Sequence, residues 1–336
     1  MFKPRRVIFE EKTLEYKLGK ELYNKFSKNE NIEIKISKNG RITGIPGKQH
    51  GDMYKEGKQT LVVGIRKSLE FQTCKPSAHY QLPLVSGCMG MCEYCYLNTQ
   101  MGKKPYVKIH VNNSEILNKA NEYINIRKPE ITIFEGAATS DPIPVEIYSN
   151  ALKDAIEFFG KNPYGKFRFV TKYTDVDSLL NLHHNNRTMI RFSLNTDDVI
   201  KKFEHRTPIL EKRIEAALKV AKSGYKIGFI IAPVFLYENW ESQYGNLIAT
   251  IADKFKDIPL EFEVISHRFT KRAKENIQSI FPQTLLPMEE KFRKFKYGQF
   301  GYGKYIYNQE ELDHMKYFFT DNIKKYFGEN AINYII

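Results

Sequence analysis

Cysteine is scarce in this chain, and long apolar runs are absent. Only four cysteines occur in 336 residues, which is too few for a disulfide scaffold in a chain of this size. No apolar run approaches the roughly 20 residues that a membrane span needs. The first six residues, MFKPRR, lead into mixed charge without the apolar core of a signal peptide. We therefore expect a cytoplasmic protein with no membrane partner.

Acidic residues are outnumbered by basic ones. The chain has 52 lysines and arginines against 39 aspartates and glutamates, which gives a formal net charge of +13. This balance favours a polyanionic partner such as nucleic acid, although charge alone also fits phosphates or an acidic surface. The chain has no short repeats or low-complexity stretches, and its length suits one elaborated barrel with additions at its ends.

Three of the four cysteines fall within eight residues. The segment 87–96 reads GCMGMCEYCY, so Cys88, Cys92 and Cys95 are separated by three and then two residues. Three thiolates can bind three irons of a [4Fe–4S] cube and leave the fourth iron open for a substrate or cofactor. A closed electron-transfer cluster or a tetrahedral zinc site takes four ligands. A structural zinc site and three unrelated buried thiols are the alternatives.

Strand patterns alternate with helical patterns from about residue 80. The predicted strands are 80–85, 106–111, 131–134, 167–171, 189–194, 226–232 and 260–265, and the predicted helices are 115–126, 146–159, 211–223 and 271–280. Such alternation predicts parallel βαβ units. The fold prediction is therefore α/β, with a partial (β/α)6-type barrel over 79–285. An N-terminal α/β layer over 1–78 and a C-terminal hairpin and helix over 286–336 complete it.

Polar residues recur where these predicted strands end. They are Ser140, Asp141, Lys172, Ser193, Asn195, His267 and Arg268, and Ala232 and Pro233 end a further strand. The carboxyl ends of parallel barrel strands form the face where barrel enzymes assemble their sites. The cysteine segment also follows a predicted strand, so we expect the site at this face.

The cysteine segment is one of an ordered set of motifs. The others are KPSA at 75–78, FEGAATSD at 134–141, RFVTKY at 168–173, RFSLN at 191–195, ISHRFTK at 265–271 and GYGKY at 301–305, with YCYL at 94–97 completing the cysteine motif. In this order they resemble the spore photoproduct lyase family of the radical S-adenosylmethionine (SAM) superfamily, over about residues 6–320. The resemblance implies a radical SAM carbon–carbon lyase with a partial barrel and a β-hairpin at the DNA surface.

The resemblance also implies an activity and its cofactors. The enzyme would revert the thymine dimer 5-thyminyl-5,6-dihydrothymine (spore photoproduct) in the DNA of the spore core to two thymines. A [4Fe–4S] cluster and SAM would supply a 5′-deoxyadenosyl radical. The expected partners are DNA carrying this lesion and an electron donor, either a reductase or a protein of the flavodoxin or ferredoxin type. We expect a monomer.

The resemblance assigns cofactor contacts to particular residues. Cys88, Cys92 and Cys95 are the expected cluster ligands. The expected SAM contacts are Tyr96 and Ala232 at the adenine, Ser193 and Asn195 at the ribose, and Ser140 and Lys172 at the methionine end, with Ala137 beside them. A solvated lysine at the end of a strand is the alternative for Lys172.

One position departs from the family pattern. The family usually carries a cysteine where this chain has Ala138, and that thiol returns a hydrogen atom to the thymine radical. The one thiol outside the cluster motif is Cys74, near a position where the family usually has serine, so we predict that Cys74 is the donor. A buried structural cysteine is the alternative. Tyr94 and Tyr96 are predicted to relay a hydrogen atom when the cofactor is regenerated, or else to serve as packing aromatics.

A basic and aromatic segment lies near the C-terminus. Residues 291–307, KFRKFKYGQFGYGKYIY, interleave five basic with seven aromatic residues. Basic side chains can neutralise phosphates while aromatic rings stack on displaced bases. The predicted lesion and DNA contacts are His267, Arg268, Lys296, Phe300, Tyr302 and Lys304. The family usually has Arg-Tyr where this chain has Gln-Phe at 299–300, and a plain packed hairpin is the alternative.

Two other functions compete with DNA repair. A radical SAM enzyme that modifies RNA or another macromolecule often carries further cysteines for a second cluster, and this chain has one spare thiol. A non-catalytic nucleic-acid-binding protein with a structural metal would not cleave SAM.

Overall fold

The structure is a computed structural model that describes residues 1–297 and 303–336. In chain order its strands are β1 Arg6–Glu10, β2 Glu33–Ser37, β3 Thr60–Gly64, β4 Thr73–Cys74, β5 Ala78–Gln81, β6 Val85–Ser86, β7 Met91–Cys92, β8 Val107–His110, β9 Thr132–Glu135, β10 Gly165–Thr171, β11 Thr188–Leu194, β12 Glu204–His205, β13 Lys226–Val234, β14 Leu260–Ser266, β15 Lys294–Tyr297, β16 Gly303–Ile306 and β17 Ile332–Ile335. Its α-helices are α1 Lys17–Ser27, α2 His50–Lys58, α3 Leu97–Gln100, α4 Asn113–Arg127, α5 Glu146–Ser149, α6 Ala151–Gly160, α7 Asp197–Phe203, α8 Leu210–Lys222, α9 Trp240–Lys254, α10 Lys271–Ile280 and α11 Gln309–Phe327.

The described residues form two compact units. The first unit comprises Met1–Gly90 and Gln100–Met189, and the second comprises Met91–Thr99 and Ile190–Ile336. Within the described ranges, no helix is long and apolar enough to cross a membrane.

The first unit contains a five-stranded sheet in the order β2-β1-β3-β8-β6. β1 and β3 are buried along their whole length, as central strands of a parallel sheet usually are. The strand predicted at 106–111 is present as β8, but it pairs in parallel with β3 of this N-terminal sheet. Alternating strands and helices predict parallel pairing but do not identify the neighbouring strand, so the sequence pattern had grouped this strand with the barrel.

The same unit holds a second run of strands in the order β4-β5-β9-β10. β9 pairs in parallel with both β5 and β10, as predicted for barrel strands. The helix predicted over 146–159 is interrupted, because Asn150 adopts a left-handed conformation with φ of 49°. Asparagine tolerates that conformation better than most residues, and the chain continues as α5 and then α6.

The second unit carries strands in the order β11-β13-β14-β17. β14 pairs in parallel with β13 and with β17, and the helix predicted over 271–280 is present as α10. A buried cluster of apolar side chains comprises Val199, Phe203, Phe235, Phe269, Ile277, Leu286 and Met288. Tyr94 and Tyr305 pack against this cluster, so it supports both the cysteine segment and the hairpin.

The predicted C-terminal hairpin is present as β15 and β16. The two strands pair antiparallel, with Lys294 opposite Ile306 and Tyr297 opposite Gly303. The predicted lesion contacts Phe300 and Tyr302 lie outside the described residues. The hairpin leads through Tyr307 into α11, where Asn308 accepts a hydrogen bond from the N–H of Glu311 and caps the helix.

Candidate functional site

Cys88 lies on a closely held loop of the first unit. Gly87 precedes it with a φ of +80°, a conformation that glycine adopts freely, and a Cβ atom there would stand 2.2 Å from a backbone carbonyl oxygen. The N–H of Gly87 donates to the Thr139 carbonyl at 2.9 Å. The buried Lys58 ammonium donates to the Cys88 carbonyl at 2.8 Å, and the Gly90 N–H donates to the Cys88 sulfur at 3.3 Å. Hydrogen bonds to sulfur of this kind tune iron–sulfur clusters.

Cys92 and Cys95 lie on a turn of the second unit. Cys92 is buried, and it pairs with Glu204 where β7 meets β12. The N–H of Cys95 donates to the Cys92 carbonyl at 3.2 Å. The Asn98 side chain, which is 1% exposed, donates to the same carbonyl at 3.0 Å, and its own backbone carbonyl accepts from Asn276 at 2.7 Å. Asn98 therefore fixes the turn that presents these two thiols.

The thiols fit the donor set of a [4Fe–4S] cluster. All four cysteines are among the described residues, and none of them forms a disulfide. In the described parts of the chain, no three histidine, cysteine, aspartate or glutamate side chains are placed to hold one metal ion. A cube binds its three cysteines at three different irons, so its ligands do not have to meet at one point.

The predicted methionine-end residues surround a buried carboxyl group. Asp141 accepts hydrogen bonds from the Thr171 hydroxyl at 2.7 Å and from the Lys172 N–H at 2.9 Å. Burial raises the pKa of Asp141 to about 6, although these hydrogen bonds and the Lys172 charge act in the opposite direction. The Ser140 hydroxyl is buried without a hydrogen-bond partner, so it is available to a polar ligand such as the amino acid end of SAM.

Glu135 joins the segment of Cys74 to the segment of Ala138. The carboxylate is buried, and one oxygen accepts the Ser77 hydroxyl at 3.2 Å while the other accepts the Ala137 N–H at 3.2 Å. Cys74 is half-buried in β4, three residues before Ser77. The side chain of Ala137 is 6% exposed. One carboxylate thus ties the turn after Cys74 to the residue before Ala138.

A buried ion pair connects the cysteine turn to the end of β11. Arg213 donates to Glu204 at 2.6 Å, and both side chains are fully buried. The guanidinium also donates to the Ser193 carbonyl at 3.0 Å, while the Tyr94 hydroxyl donates to the second oxygen of Glu204. Burial is the main reason that the pKa of Tyr94 lies well above its ordinary value. Arg213 therefore holds together a predicted ribose-binding residue and a residue of the cysteine motif.

The predicted adenine and ribose residues differ in burial. The Asn195 amide donates to the Pro233 carbonyl at 2.8 Å and accepts from the Tyr244 hydroxyl at 2.8 Å. It therefore positions the end of β13, which contains the half-buried Ala232. Tyr96 is 51% exposed.

His267 lies beneath the surface. It is 2% exposed, and its ring centroid is 4.5 Å from that of Phe235. Burial, with a smaller contribution from the Arg293 charge, lowers the pKa of His267 to about 3. Arg293 donates to the His267 carbonyl at 3.1 Å and lies 3.6 Å above the Tyr307 ring. A neutral, buried ring does not favour the predicted direct contact of His267 with DNA; it supports the base of the hairpin.

Arg268, Lys296 and Lys304 lie together in the second unit. Lys296 is paired directly with Lys304 across the hairpin, and all three residues line one cavity of about 300 Å³. Burial and the Arg268 charge lower the pKa of Lys304. Like charges placed this closely repel one another, so the arrangement favours an anionic ligand.

Sequence reasoning missed three residues that hold predicted site segments within their own units: Glu135 in the first unit, and Asn98 and Arg213 in the second. Arg213 has a recognisable signal, because it falls on the buried face of α8 among Leu210, Ile214 and Ala217, where a charged residue needs a partner. The sequence offers no comparable signal for Asn98 or Glu135.

Comparisons with known proteins identify the family to which the cysteine motif points. The family model for spore photoproduct lyase matches residues 2–336. The chain is 61% identical over 332 residues to the spore photoproduct lyase of Clostridium acetobutylicum, covering 99% of this chain and 98% of the relative. It is 46% identical over 337 residues to that of Bacillus subtilis, with the same coverage.

Solved structures give the same result. A spore photoproduct lyase complexed with dinucleoside spore photoproduct superimposes with a TM-score of 0.96 at 44% identity, covering 100% of this chain and 99% of that chain. A double mutant with bound AdoMet and the same dinucleoside superimposes with a TM-score of 0.96 at 45% identity and equal coverage. These matches confirm the predicted α/β partial-barrel fold, the radical SAM lyase activity and the cofactor pair of a [4Fe–4S] cluster and SAM. The chain belongs to the spore photoproduct lyase family.

Proposed function

We propose that this chain repairs spore photoproduct in DNA with Cys74 as the hydrogen-atom donor. When bound, the cluster and SAM supply a 5′-deoxyadenosyl radical that removes a hydrogen atom from C6 of the dihydrothymine ring. The bond between the methylene bridge and that ring then breaks, which leaves one thymine and one thymine radical centred on its methyl carbon. One hydrogen atom from a thiol completes the second thymine and leaves a thiyl radical.

The Glu135 bridge carries the assignment of Cys74. Its carboxylate accepts hydrogen bonds from Ser77 and from the Ala137 N–H, each at 3.2 Å. The turn that follows Cys74 is thereby held against the segment of Ala138, where the family usually places its donor cysteine. A thiol at position 74 can therefore serve the same substrate radical from the neighbouring segment.

A solved relative supports this exchange of positions. That spore photoproduct lyase carries alanine in place of a cysteine and cysteine in place of a serine, and it holds AdoMet and dinucleoside spore photoproduct. This chain has alanine at 138 and cysteine at 74. The same pair of residue types is thus compatible with cofactor and lesion in a protein of this family.

Regeneration of the cofactor needs a hydrogen atom to move from 5′-deoxyadenosine to the thiyl sulfur. We assign this relay to Tyr94 and Tyr96. Burial keeps the pKa of Tyr94 well above its ordinary value, so its hydroxyl keeps its hydrogen and donates it to Glu204. Tyr96 is half exposed and directly follows the cluster ligand Cys95.

The remaining partners follow from the chemistry. Each reduction of the cluster needs one electron from outside the chain, and we assign it to a reductase or to a protein of the flavodoxin or ferredoxin type. We assign the enzyme to the cytoplasm of the spore core, where the damaged DNA lies, and expect it to act as a monomer. Light scattering at working concentration tests the last point.

The test of Cys74 compares two variants. Cys74→Ala should still cleave SAM and consume the lesion, but it should return little thymine and more quenched adduct, because the methyl radical then takes hydrogen or another species from solution. Adding Ala138→Cys to the same variant should restore part of the thymine yield. A normal thymine yield from Cys74→Ala would remove Cys74 from the mechanism.

A further inference from the structure

Two adjoining cavities of the second unit form one groove along α11. The first, of about 300 Å³, is lined by Arg268, Lys296, Lys304, Lys316 and Leu312 among others. The second, of about 580 Å³, is lined by Lys316, Thr320, Lys324 and Glu329 among others, and Lys324 donates to Glu329 at 2.6 Å. Lys316 lines both cavities, and the two together, called the groove below, extend from the hairpin to the second half of α11.

The sequence of α11 places one row of side chains along this groove. Leu312, Lys316, Thr320 and Lys324 follow one another at intervals of four residues, which puts them on one helix face. Lys316 and Lys324 are eight residues apart, or about 12 Å along the helix axis. Within this row Lys324 is paired with Glu329, so Lys316 is the lysine of α11 that adjoins the basic side chains of the first cavity.

The groove is strongly cationic near the hairpin. Its first cavity has four basic side chains and, among its described lining residues, no acidic one. The hairpin is fixed beside the end of β14, because Phe269 and Tyr305 exchange backbone hydrogen bonds of 3.1 and 2.7 Å. This pairing brings Arg268 next to Lys304, and it keeps the charges together despite their repulsion.

We propose that this groove binds the backbone phosphates of the DNA strand that flanks the lesion, with Lys316 at its centre. The proposal rests on the proposed function and extends it, since Lys316 adds a cation from α11, a helix to which no DNA contact has been assigned. Phosphate is favoured over a base because four basic side chains line the first cavity, and most hydrogen bonds from proteins to DNA go to its sugar–phosphate backbone. An acidic protein is the competing occupant, and the test separates the two.

The experiment compares two lysines of the same helix. Lys316 faces the groove, whereas Lys325 is exposed nine residues later, half a turn away around the helix. Affinities of Lys316→Gln and Lys325→Gln are measured at 50 and 200 mM salt, on a duplex with one spore photoproduct and on the undamaged duplex. The turnover of dinucleoside spore photoproduct, which has no phosphate, is measured for both variants.

The proposal predicts that only the Lys316→Gln variant loses affinity for DNA. Lys316→Gln should weaken binding to both duplexes by the same factor and lower the salt slope by about 1, so that its deficit shrinks about fourfold between the two salt concentrations. Lys316→Arg should restore both the affinity and the slope. Lys325→Gln should match the parent, and dinucleoside turnover should match the parent in every variant.

Three results would overturn the proposal. The first is equal DNA binding by Lys316→Gln and Lys325→Gln. The second is a matching loss of dinucleoside turnover in Lys316→Gln, which would show a structural role. The third is unchanged DNA binding with slower cluster reduction by a flavodoxin, which would assign the groove to an acidic protein. Failure of the proposed function looks different, because the parent would then convert neither substrate while its salt-dependent DNA binding persisted.

Discussion

Arg213 offers the sharpest test of how the second unit holds its site. Arg213→Met removes the cation from a fully buried pair with Glu204 and leaves the Ser193 carbonyl without its 3.0 Å donor. Breaking a buried ion pair by removing one partner costs about 3–5 kcal/mol. That is a large share of the roughly 5–15 kcal/mol by which a folded domain is stable.

The assay uses the single tryptophan of the chain. Trp240 begins α9 of the second unit, so its fluorescence during urea unfolding reports on that unit. We expect Arg213→Met to lose about 3–5 kcal/mol of unfolding free energy. Adding Glu204→Gln should recover part of the loss, because it removes the unpaired buried carboxylate.

The matched control lies next to Arg213. Lys212 is exposed on the same helix and pairs with Glu215 at the surface, where ion pairs contribute little. Lys212→Met should unfold like the parent. A loss below about 1 kcal/mol in Arg213→Met, or a double variant no more stable than the single one, would refute the reasoning.

Three further predictions concern the cluster, the hairpin and the response to pH. Alanine in place of any one of the three clustered cysteines should abolish the absorption and paramagnetic resonance signals of the [4Fe–4S] cluster, while Cys74→Ala should keep them; zinc as the native metal would contradict this. Phe300→Ala should lose about 1–3 kcal/mol of binding free energy for lesion-containing DNA only, because stacking requires an extruded base. Lys296→Ala should weaken binding to damaged and undamaged DNA alike. Equal losses for both DNAs in the Phe300 variant would count against stacking. The pKa of His267 is about 3 in the folded protein, against an ordinary value near 6.5. Between these values the unfolded chain binds a proton that the folded protein does not bind. The free energy of unfolding should therefore fall by about 2 kcal/mol from pH 6.5 to pH 5. Urea unfolding across that range should show a smaller fall in His267→Phe, and an identical fall would place the titration elsewhere.

The local spacing of apolar residues along the sequence predicted much of the fold. The strands near 131–134, 167–171 and 260–265 and the helix over 271–280 appear close to their expected positions, because their apolar residues recur with a clear period. The pairing of β8 with β3 could not be predicted in this way. Strand neighbours are chosen by contacts between distant parts of the chain, and the local pattern does not contain them.

The candidate site likewise contains residues that the sequence could predict and residues that it could not. The cysteine motif was visible because its chemistry depends on spacing along the chain. The burial of His267 was not, because a polar residue at a strand end gives the same signal whether it meets solvent or packs against Phe235. The ion pair of Arg213 with Glu204 depends on how α8 packs on β12, although the charged residue on the apolar face of α8 was a usable clue.

The origin of the hydrogen atom in the repaired thymine tests the central claim most directly. The reconstituted protein is incubated anaerobically in D₂O with reductant, SAM and DNA that carries unlabelled spore photoproduct, and the thymines are analysed by mass spectrometry. Because a thiol hydrogen exchanges with solvent, donation from Cys74 predicts one deuterium in a thymine methyl group for each repaired lesion. The Cys74→Ala protein should yield little thymine. Full recovery of thymine without deuterium, or recovery that is unchanged in Cys74→Ala, would contradict the account.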